Sequence, residues 1–311
     1  MAWRSLLIAV LAAPIVVVGY QARPAVVRSQ LAWVDRTGKR LSVLGGVADY
    51  GNIELSPDRK HLAVAVQDEP GVHGLWVYDI SNGRRTMVTA NAADQNWLIW
   101  SPDGRRVVFN SARNGGLDLY QASASSSGSR AEETLLVDRL AKWPVSWSPD
   151  GRVVLYVTSG ERTGNDIWVL PLSGDRKPYP FLQTAAAENW AAFSPDGHLV
   201  AYSSTESGEA DVYVTTFPRT SLKWVVSTRG GSQARWRRDG KELYYLGLDR
   251  NLMAVPVIRL GSDPEFGVAE PLFQVRLPYG QYHAYDAAAD GQRFLINTVV
   301  GTPAAPAVAA H

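Results

Sequence analysis

The chain has 311 residues, of which 46% are hydrophobic, and its 31 basic and 30 acidic side chains give a formal net charge of +1. This composition supplies enough apolar material for one large domain, and the balanced charge disfavours a nucleic-acid-binding protein, which usually carries a basic face. Cysteine is absent, which excludes disulfides and thiol chemistry.

Residues 1–22 differ in composition from the rest of the chain. Arg4 precedes an apolar run from Leu6 to Val18 that only Pro14 interrupts. Such a run is short for a bilayer span and typical of a signal peptide, although no clean small-x-small cleavage site follows. We therefore predict a signal peptide or an uncleaved membrane anchor over residues 5–20, with a stray hydrophobic start as the remaining alternative. Residues 23–29 are predicted to be a linker.

One short motif then returns along the chain. Trp-Ser-Pro-Asp-Gly-Arg stands at residues 100–105 and 147–152, and four looser copies accompany it. The aspartates of the six copies are Asp58, Asp103, Asp150, Asp196, Asp239 and Asp290, spaced by 45, 47, 46, 43 and 51 residues. Proline presets φ, aspartate can accept a backbone bond and glycine takes the positive-φ position, so each copy predicts a structural turn in a hairpin. Metal binding by these aspartates is the alternative, but one turn explains all six copies.

The flanks of each turn have the pattern of buried β-strands. Apolar residues occupy successive positions after the turn, as in Val107-Val108-Phe109 and Val154-Leu155-Tyr156. Apolar side chains on both faces indicate a sheet that is covered on both sides. A repeat near 45 residues made of such strands is typical of β-propeller blades.

Six such hairpins are followed by only five pairs of further strands. The missing pair stands at the front, where Gln30–Val34 and Arg40–Leu44 read as strands. Strands from both ends would then complete one blade and hide the sheet edges. We predict an all-β fold: a six-bladed β-propeller of four-stranded blades over residues 30–299, closed by N- and C-terminal strands. Residues 300–311 are predicted to be a disordered tail.

The turn motif, the period and the aliphatic–aromatic third strands, such as Leu119-Tyr120, carry a family resemblance. They resemble the WD40-like (PD40) repeats of TolB-like β-propellers. Residues 30–298 are similar to the extracytoplasmic propeller of bacterial serine/threonine kinases, most specifically at residues 30–35, 175–178 with 181–184, and 235–243. The resemblance implies the propeller fold and an extracytoplasmic location. The chain departs from the kinases because it contains no kinase Gly-rich loop and no His-Arg-Asp loop.

Catalytic motifs are missing from the sequence. No Gly-x-Ser-x-Gly elbow occurs, and none of the five histidines forms a close ligand pair. We therefore expect no catalytic residue, no metal and no cofactor, while a hydrolase or lyase built on the channel stays open as an alternative.

Propellers usually bind ligands at a mouth of the central channel, where the connections between blades converge. These connections carry tryptophan or tyrosine beside polar residues, a composition that suits protein or peptide contacts. The candidate binding residues are Tyr50, Asn52, Asn96, Trp97, Lys142, Trp143, Glu188, Asn189, Trp190, Gln233, Arg235, Tyr282, His283 and Tyr285. The alternative is that these aromatic side chains plug the channel or pack between blades.

The sequence thus favours a non-catalytic, exported propeller that acts as a protein-binding scaffold or ligand-binding module. It would be periplasmic or secreted, with an inner-membrane tether if residues 5–20 stay attached, and its partner would be a protein or peptide rather than nucleic acid. A sensor propeller of a kinase-type signalling system is the first alternative, and a propeller enzyme is the second.

Overall fold

The computed structural model describes residues 28–69, 72–89, 97–124, 132–160, 163–278 and 283–301. Several sequence predictions lie outside the described residues. They are the predicted leader, nearly all of the predicted linker, residues 302–311 of the predicted tail, and the candidates Asn96 and Tyr282. Within the described ranges the chain forms 24 strands and no helix. No membrane-spanning helix is therefore found in that part of the chain.

The strands follow one another with short connections. In chain order they are β1 (Ser29–Asp35), β2 (Arg40–Leu55), β3 (His61–Glu69), β4 (Val72–Asp79), β5 (Arg85–Met87), β6 (Leu98–Trp100), β7 (Arg106–Ser111), β8 (Asp118–Ser123), β9 (Glu133–Leu136), β10 (Lys142–Trp147), β11 (Val153–Gly160), β12 (Gly164–Pro171), β13 (Tyr179–Leu182), β14 (Glu188–Phe193), β15 (Leu199–Ser204), β16 (Asp211–Thr216), β17 (Lys223–Val225), β18 (Ser232–Trp236), β19 (Glu242–Leu246), β20 (Asn251–Arg259), β21 (Glu265–Phe266), β22 (Glu270–Gln274), β23 (Tyr285–Ala287) and β24 (Arg293–Val299).

Antiparallel pairing groups these strands into sheets of consecutive elements. Three sheets have four strands each, in the orders β6-β7-β8-β9, β10-β11-β12-β13 and β14-β15-β16-β17. A fourth follows the order β18-β19-β20-β21, with β22 also paired to β20. The all-β class and the four-stranded antiparallel sheets are therefore as predicted.

The remaining sheet contains both ends of the described chain, in the order β23-β24-β1-β2-β3-β4-β5. Strand β2 is 16 residues long; its first part pairs with β1 and its second part with β3. Strand β1 also pairs with β24, from Ser29 opposite Val299 to Asp35 opposite Arg293. The N-terminal strand therefore lies between the C-terminal strand and the start of the repeats.

One strand of each repeat, the strand that ends at the Pro-Asp-Gly turn or its variant, forms an inner series. These inner strands are β2, β6, β10, β14, β18 and β23. Strand β2 contacts β23 and β6, and contacts then run from β6 to β10, β14 and β18. Beside them, Ala284 N donates to Gln233 Oε1 at 3.2 Å, which joins the chain before β23 to β18.

The turns have the chemistry that the sequence predicts. In the third copy, Ser148 Oγ donates to Asp150 Oδ1 at 2.6 Å, and Arg152 N donates to the same oxygen at 3.0 Å. All six turn aspartates accept such a bond from the residue two positions on. Gly151 has a φ of 75°, whereas Arg59 occupies the glycine position of the first copy with a φ of 60°. Of the six motif turns, only the first therefore places a long side chain at the left-handed position.

One short strand lies outside the repeated pattern. Residues 259–270 contain β21, which pairs with the end of β20 through Val257 and Phe266. Phe266 packs beside Trp236 with ring centroids 6.3 Å apart. A two-residue strand is too short for its alternation to be read from sequence, so only the tertiary contact identifies it.

Candidate functional site

Three aromatic rings, one from β14 and two from the residues just before β6 and β23, meet at the centre of the fold. Trp97 and Trp190 have ring centroids 5.0 Å apart, and the ring of His283 stands edge-on to both, at 5.5 Å and 4.9 Å. Trp97 is 8% exposed and His283 is 1% exposed. We call Trp97, Trp190 and His283 the central plug, since they fill the space between the inner strands.

Backbone irregularities place these rings. Strand β14 has a register shift between Asn189 and Ala192, and within it Trp190 has a φ of 59°. A bulge of this kind re-aims a side chain, here toward the centre. His283 is fixed by its main chain, because its N–H donates to Asn52 Oδ1 at 3.0 Å and its carbonyl accepts from Ile53 N at 3.2 Å.

A small cavity of about 80 Å³ lies beside the plug, where the inner strands begin. Trp143, Asn165 and Asn189 line it together with Trp97 and Trp190. The Asn165 amide donates to Asn189 Oδ1 at 2.8 Å, which fixes the polar part of the wall. We call this opening, lined by Trp143, Asn165, Asn189 and Trp190, the strand-start mouth.

A larger cavity of about 360 Å³ lies where the inner strands end, beside the Pro-Asp-Gly turns. Its charged residues are Glu54, Arg59, Arg235, Arg238 and Asp286, and we call this opening the turn mouth. Uncharged residues complete the wall; they include Ser146, Ala192, Trp100, Trp147, Phe193 and Trp236.

Neighbouring turns stack around this opening. A Cβ added at Gly151 would lie 3.8 Å from Pro102, and one added at Gly197 would lie 3.5 Å from Pro149. The motif tryptophans bind the preceding inner strand in two places: Trp100 Nε1 donates to the Glu54 carbonyl at 2.9 Å, and Trp236 Nε1 donates to the Ala192 carbonyl at 3.1 Å. These tryptophans therefore fix the wall of the turn mouth.

The charges of the turn mouth are only partly paired. Arg59 Nη1 lies 3.1 Å from Asp286 Oδ2, and Arg235 Nη1 lies 4.0 Å from Glu54 Oε1. Among the described residues, Glu54 Oε2, Arg59 Nε, Arg235 Nε and Arg235 Nη2 are buried without a hydrogen-bond partner. Buried polar atoms normally have partners, so this concentration is unusual.

Burial shifts the pKa values of two side chains near the centre, Glu54 and His283. Desolvation raises the pKa of Glu54 to about 7, even though the charge of Arg235 acts in the opposite direction. Desolvation, assisted by Arg235, lowers the pKa of His283 well below its usual value. Both ring nitrogens of His283 lie buried without a partner among the described residues, so the imidazole is neutral when folded.

Other sequence candidates serve to join the sheets. Asn52 Nδ2 donates to the Leu98 carbonyl at 2.9 Å, and the Tyr285 hydroxyl donates to the Gln233 carbonyl at 2.7 Å. The side chain of Tyr50 is buried and its hydroxyl donates to the Gly46 carbonyl at 2.9 Å.

The two charged candidates at the start of strands are also held by the protein. Lys142 is fully buried; its Nζ lies 3.0 Å from Asp118 Oδ1 and 2.8 Å from Asp138 Oδ1. Glu188 is 1% exposed, and burial raises its pKa although it accepts a hydrogen bond from Thr184. Of the candidates within the described ranges, the structure brings Trp97, Trp143, Asn189, Trp190 and His283 together at the centre.

Sequence reasoning missed the acidic half of the turn mouth. Glu54, Ser146, Ala192, Arg235 and Asp286 each stand four residues before a turn aspartate, and all five line this cavity. This shared position could have been found in the sequence by counting four residues back from each turn aspartate. Within the described ranges, no group of three or more histidine, aspartate or glutamate side chains is placed to hold a metal ion.

The sheets, the inner series of strands and the two openings define a β-propeller. No protein-family model matches the chain. An uncharacterized protein of Agrobacterium fabrum, Atu1656, is 24% identical over 212 residues, which is 64% of this chain and 69% of that protein.

Comparison with solved structures shows which β-propellers the fold resembles. A putative TolB from Agrobacterium tumefaciens superimposes with a TM-score of 0.66 at 15% identity, covering 89% of this chain and 99% of that one. TolB from Acinetobacter baumannii gives a TM-score of 0.59 at 15% identity, covering 88% and 64%. An oligogalacturonate lyase in complex with manganese gives 0.54 at 11% identity, covering 81% and 90%. The chain therefore has the fold of the TolB-like β-propellers, a fold that binding proteins share with enzymes.

Proposed function

We propose that the protein is a non-catalytic, exported binding propeller whose protein or peptide partner docks at the strand-start mouth. The observation that carries the proposal is the set of half-buried tryptophans, Trp143 and Trp190, beside the fixed amides Asn165 and Asn189. Aromatic anchors next to ordered polar groups are typical of the energetic centre of protein interfaces. The apolar leader at residues 1–22 supports an extracytoplasmic location.

The proposal includes six blades. The three four-stranded sheets and the β18–β22 sheet would form four blades, and the seven-stranded sheet would form two that share β2. One of these would be β23, β24, β1 and the first part of β2, and the other would be the second part of β2 with β3, β4 and β5. Full closure would leave few exposed sheet edges.

The central plug supports binding at a mouth rather than passage through the centre. His283 packs edge-on against both tryptophans and is almost fully buried, so a partner meets the rings of Trp143 and Trp190 and does not thread between the strands. A docked partner would cover the exposed part of these rings and hydrogen-bond to the two asparagines.

The test is capture of a partner by the full chain from an envelope extract, followed by identification and affinity measurement. Trp143→Ala should weaken binding at least about 30-fold, since a central tryptophan is worth about 2 kcal/mol or more. Trp224→Ala is the matched control, because Trp224 is also half-buried but lies on β17, away from both mouths. Equal affinity of the Trp143→Ala variant and the parent, at unchanged melting temperature, would contradict docking at this mouth.

A further inference from the structure

We propose that the turn mouth is a second binding site, and that it takes a ligand bearing a carboxylate group, which Arg235 holds through two parallel hydrogen bonds. This site is separate from the strand-start mouth and does not depend on the partner proposed there. The ligand is either a small organic acid or the C-terminus of a peptide, which share this chemistry.

The orientation of Arg235 carries the proposal. Its Nη1 faces Glu54 at 4.0 Å, while Nε and Nη2 are buried and have no partner among the described residues. Nε and Nη2 form one edge of the planar guanidinium, and that edge matches the two oxygens of a carboxylate. A buried donor left unpaired costs about 1–3 kcal/mol, so a ligand that accepts both bonds recovers that free energy.

The surrounding charges favour a single negative charge on the ligand. Arg59, Arg235 and Arg238 face two carboxyl groups, those of Glu54 and Asp286. Asp286 already has partners within the protein, because its Oδ2 accepts hydrogen bonds from Leu55 N at 2.9 Å and from Arg59 Nη1 at 3.1 Å. The excess of arginine attracts an anion, while the two acidic groups disfavour a doubly charged one such as phosphate.

Glu54 would act as a second contact whose charge depends on pH. The pKa of its carboxyl is raised to about 7 by burial and by Asp286, against the opposing effects of Arg235 and Arg59. Below this pH the protonated Oε2 can donate to the ligand, and above it the carboxylate repels the ligand. Carboxylate binding should therefore be tighter at pH 6 than at pH 8.

The cavity has room for such a ligand. Its volume of about 360 Å³ lies within the range of small-molecule sites. On the wall facing the charges stand the small side chains of Ser146 and Ala192, with Trp147 and Phe193 beside them. These residues provide an apolar surface for the body of the ligand, away from the arginines.

The experiment is isothermal titration calorimetry of the full chain at pH 6 and pH 8 with four probes. The probes are benzoate, inorganic phosphate and one short peptide in two forms, with a free and with an amidated C-terminus. We expect binding of benzoate, of the free-acid peptide, or of both, tighter at pH 6. Binding of only one of these two identifies the source of the carboxylate.

Two variants and a control test the residues. Arg235→Lys keeps the charge but removes the paired edge, and should weaken binding at least ten-fold. Glu54→Gln should bind at pH 8 about as tightly as the parent does at pH 6, a gain that damage to the fold would not produce. Arg152→Lys, at an exposed turn position, should change nothing.

Three results would overturn the proposal. They are the absence of binding by benzoate and by the free-acid peptide up to the millimolar range, measurable binding of the amidated peptide that is as tight as that of the free-acid peptide, and binding of phosphate as tight as that of the carboxylates.

Discussion

At the scale of single residues, one backbone position acquires different chemistry in each repeat. In five of the six repeats the residue four positions before the turn aspartate lines the turn mouth, and it is Glu54 in the first repeat, Arg235 in the fifth and Asp286 in the sixth. The third and fourth repeats carry Ser146 and Ala192 there. A repeating backbone thus produces an asymmetric site, charged on one side and small on the other.

The first prediction at this scale concerns the stability of Glu54→Gln. Because the pKa of Glu54 in the folded state, about 7, exceeds its ordinary value of 4.5, the folded state retains a proton that the unfolded chain releases. The stability of the parent should therefore fall as the pH rises from about 4.5 to about 7. Above about pH 7, the Glu54 carboxyl should cause no further change in stability. The variant should exceed the parent at pH 8 by up to about 3 kcal/mol and differ little near pH 4.5.

Thermal melts of both proteins between pH 4.5 and 8 measure this difference. His283 acts in the opposite direction, because its lowered pKa costs stability as the pH falls below its unfolded value of about 6.5, but it is common to both proteins and cancels. Glu209→Gln, on an exposed loop, is the control. A parent–variant difference that does not change with pH would show that Glu54 titrates normally.

At the scale of elements, side chains at strand ends connect neighbouring sheets. Lys142 at the start of β10 reaches Asp118 at the start of β8, and its ammonium also bonds the Leu140 carbonyl at 2.6 Å. Asn110 on β7 donates a hydrogen bond to the Lys142 carbonyl at 3.1 Å. An ion pair and a side-chain hydrogen bond therefore both connect the β6–β9 sheet to β10. These bonds leave Lys142 no exposed surface for a partner.

We predict that Lys142→Met destabilises the protein by about 3–5 kcal/mol, because it leaves Asp118 as an uncompensated buried charge. Adding Asp118→Asn should recover part of the loss. Lys223→Met is the matched control: its ion pair with Glu206 is solvent-exposed, so its loss should cost less than about 1 kcal/mol. Chemical denaturation measures all three variants, and an unchanged midpoint for Lys142→Met would argue for a binding role instead.

At the scale of the whole molecule, the two ends of the described chain meet in one sheet. Strand β1 lies between β24 and β2, so strands from opposite ends of the sequence would complete the last blade. Arg59 and Asp286 add a side-chain tie between the first turn and β23. Opening this junction would expose the edges of β24 and β2 to solvent.

The final prediction uses the absence of cysteine from the chain. Gln30 on β1 stands opposite Thr298 on β24, so the pair Gln30→Cys/Thr298→Cys should oxidise readily and raise stability by about 2–4 kcal/mol. Gel mobility and thermal melts, with and without reductant, measure both effects. The pair Gln30→Cys/Val225→Cys, on separate sheets, should not form a disulfide. Failure of the first pair to oxidise would contradict the proposed closure.

The sequence by itself determined the repeat, the turns and the strand order, because each of these depends on local spacing. The Pro-Asp-Gly copies define hairpins through φ preferences, and the apolar runs after them define strands that are buried on both faces. The prediction that the N-terminal segment holds two strands, β1 and the start of β2, also followed from counting.

Only the tertiary structure decided which residues meet at the centre. Trp97, Trp190 and His283 are far apart in the sequence, and the bulge that aims Trp190 inward leaves no signature in residue type. The pairing of Arg59 with Asp286 spans 227 positions. Side chains that belong to different blades share a site only because the inner strands are brought side by side, and that arrangement depends on packing between sheets rather than on any local preference.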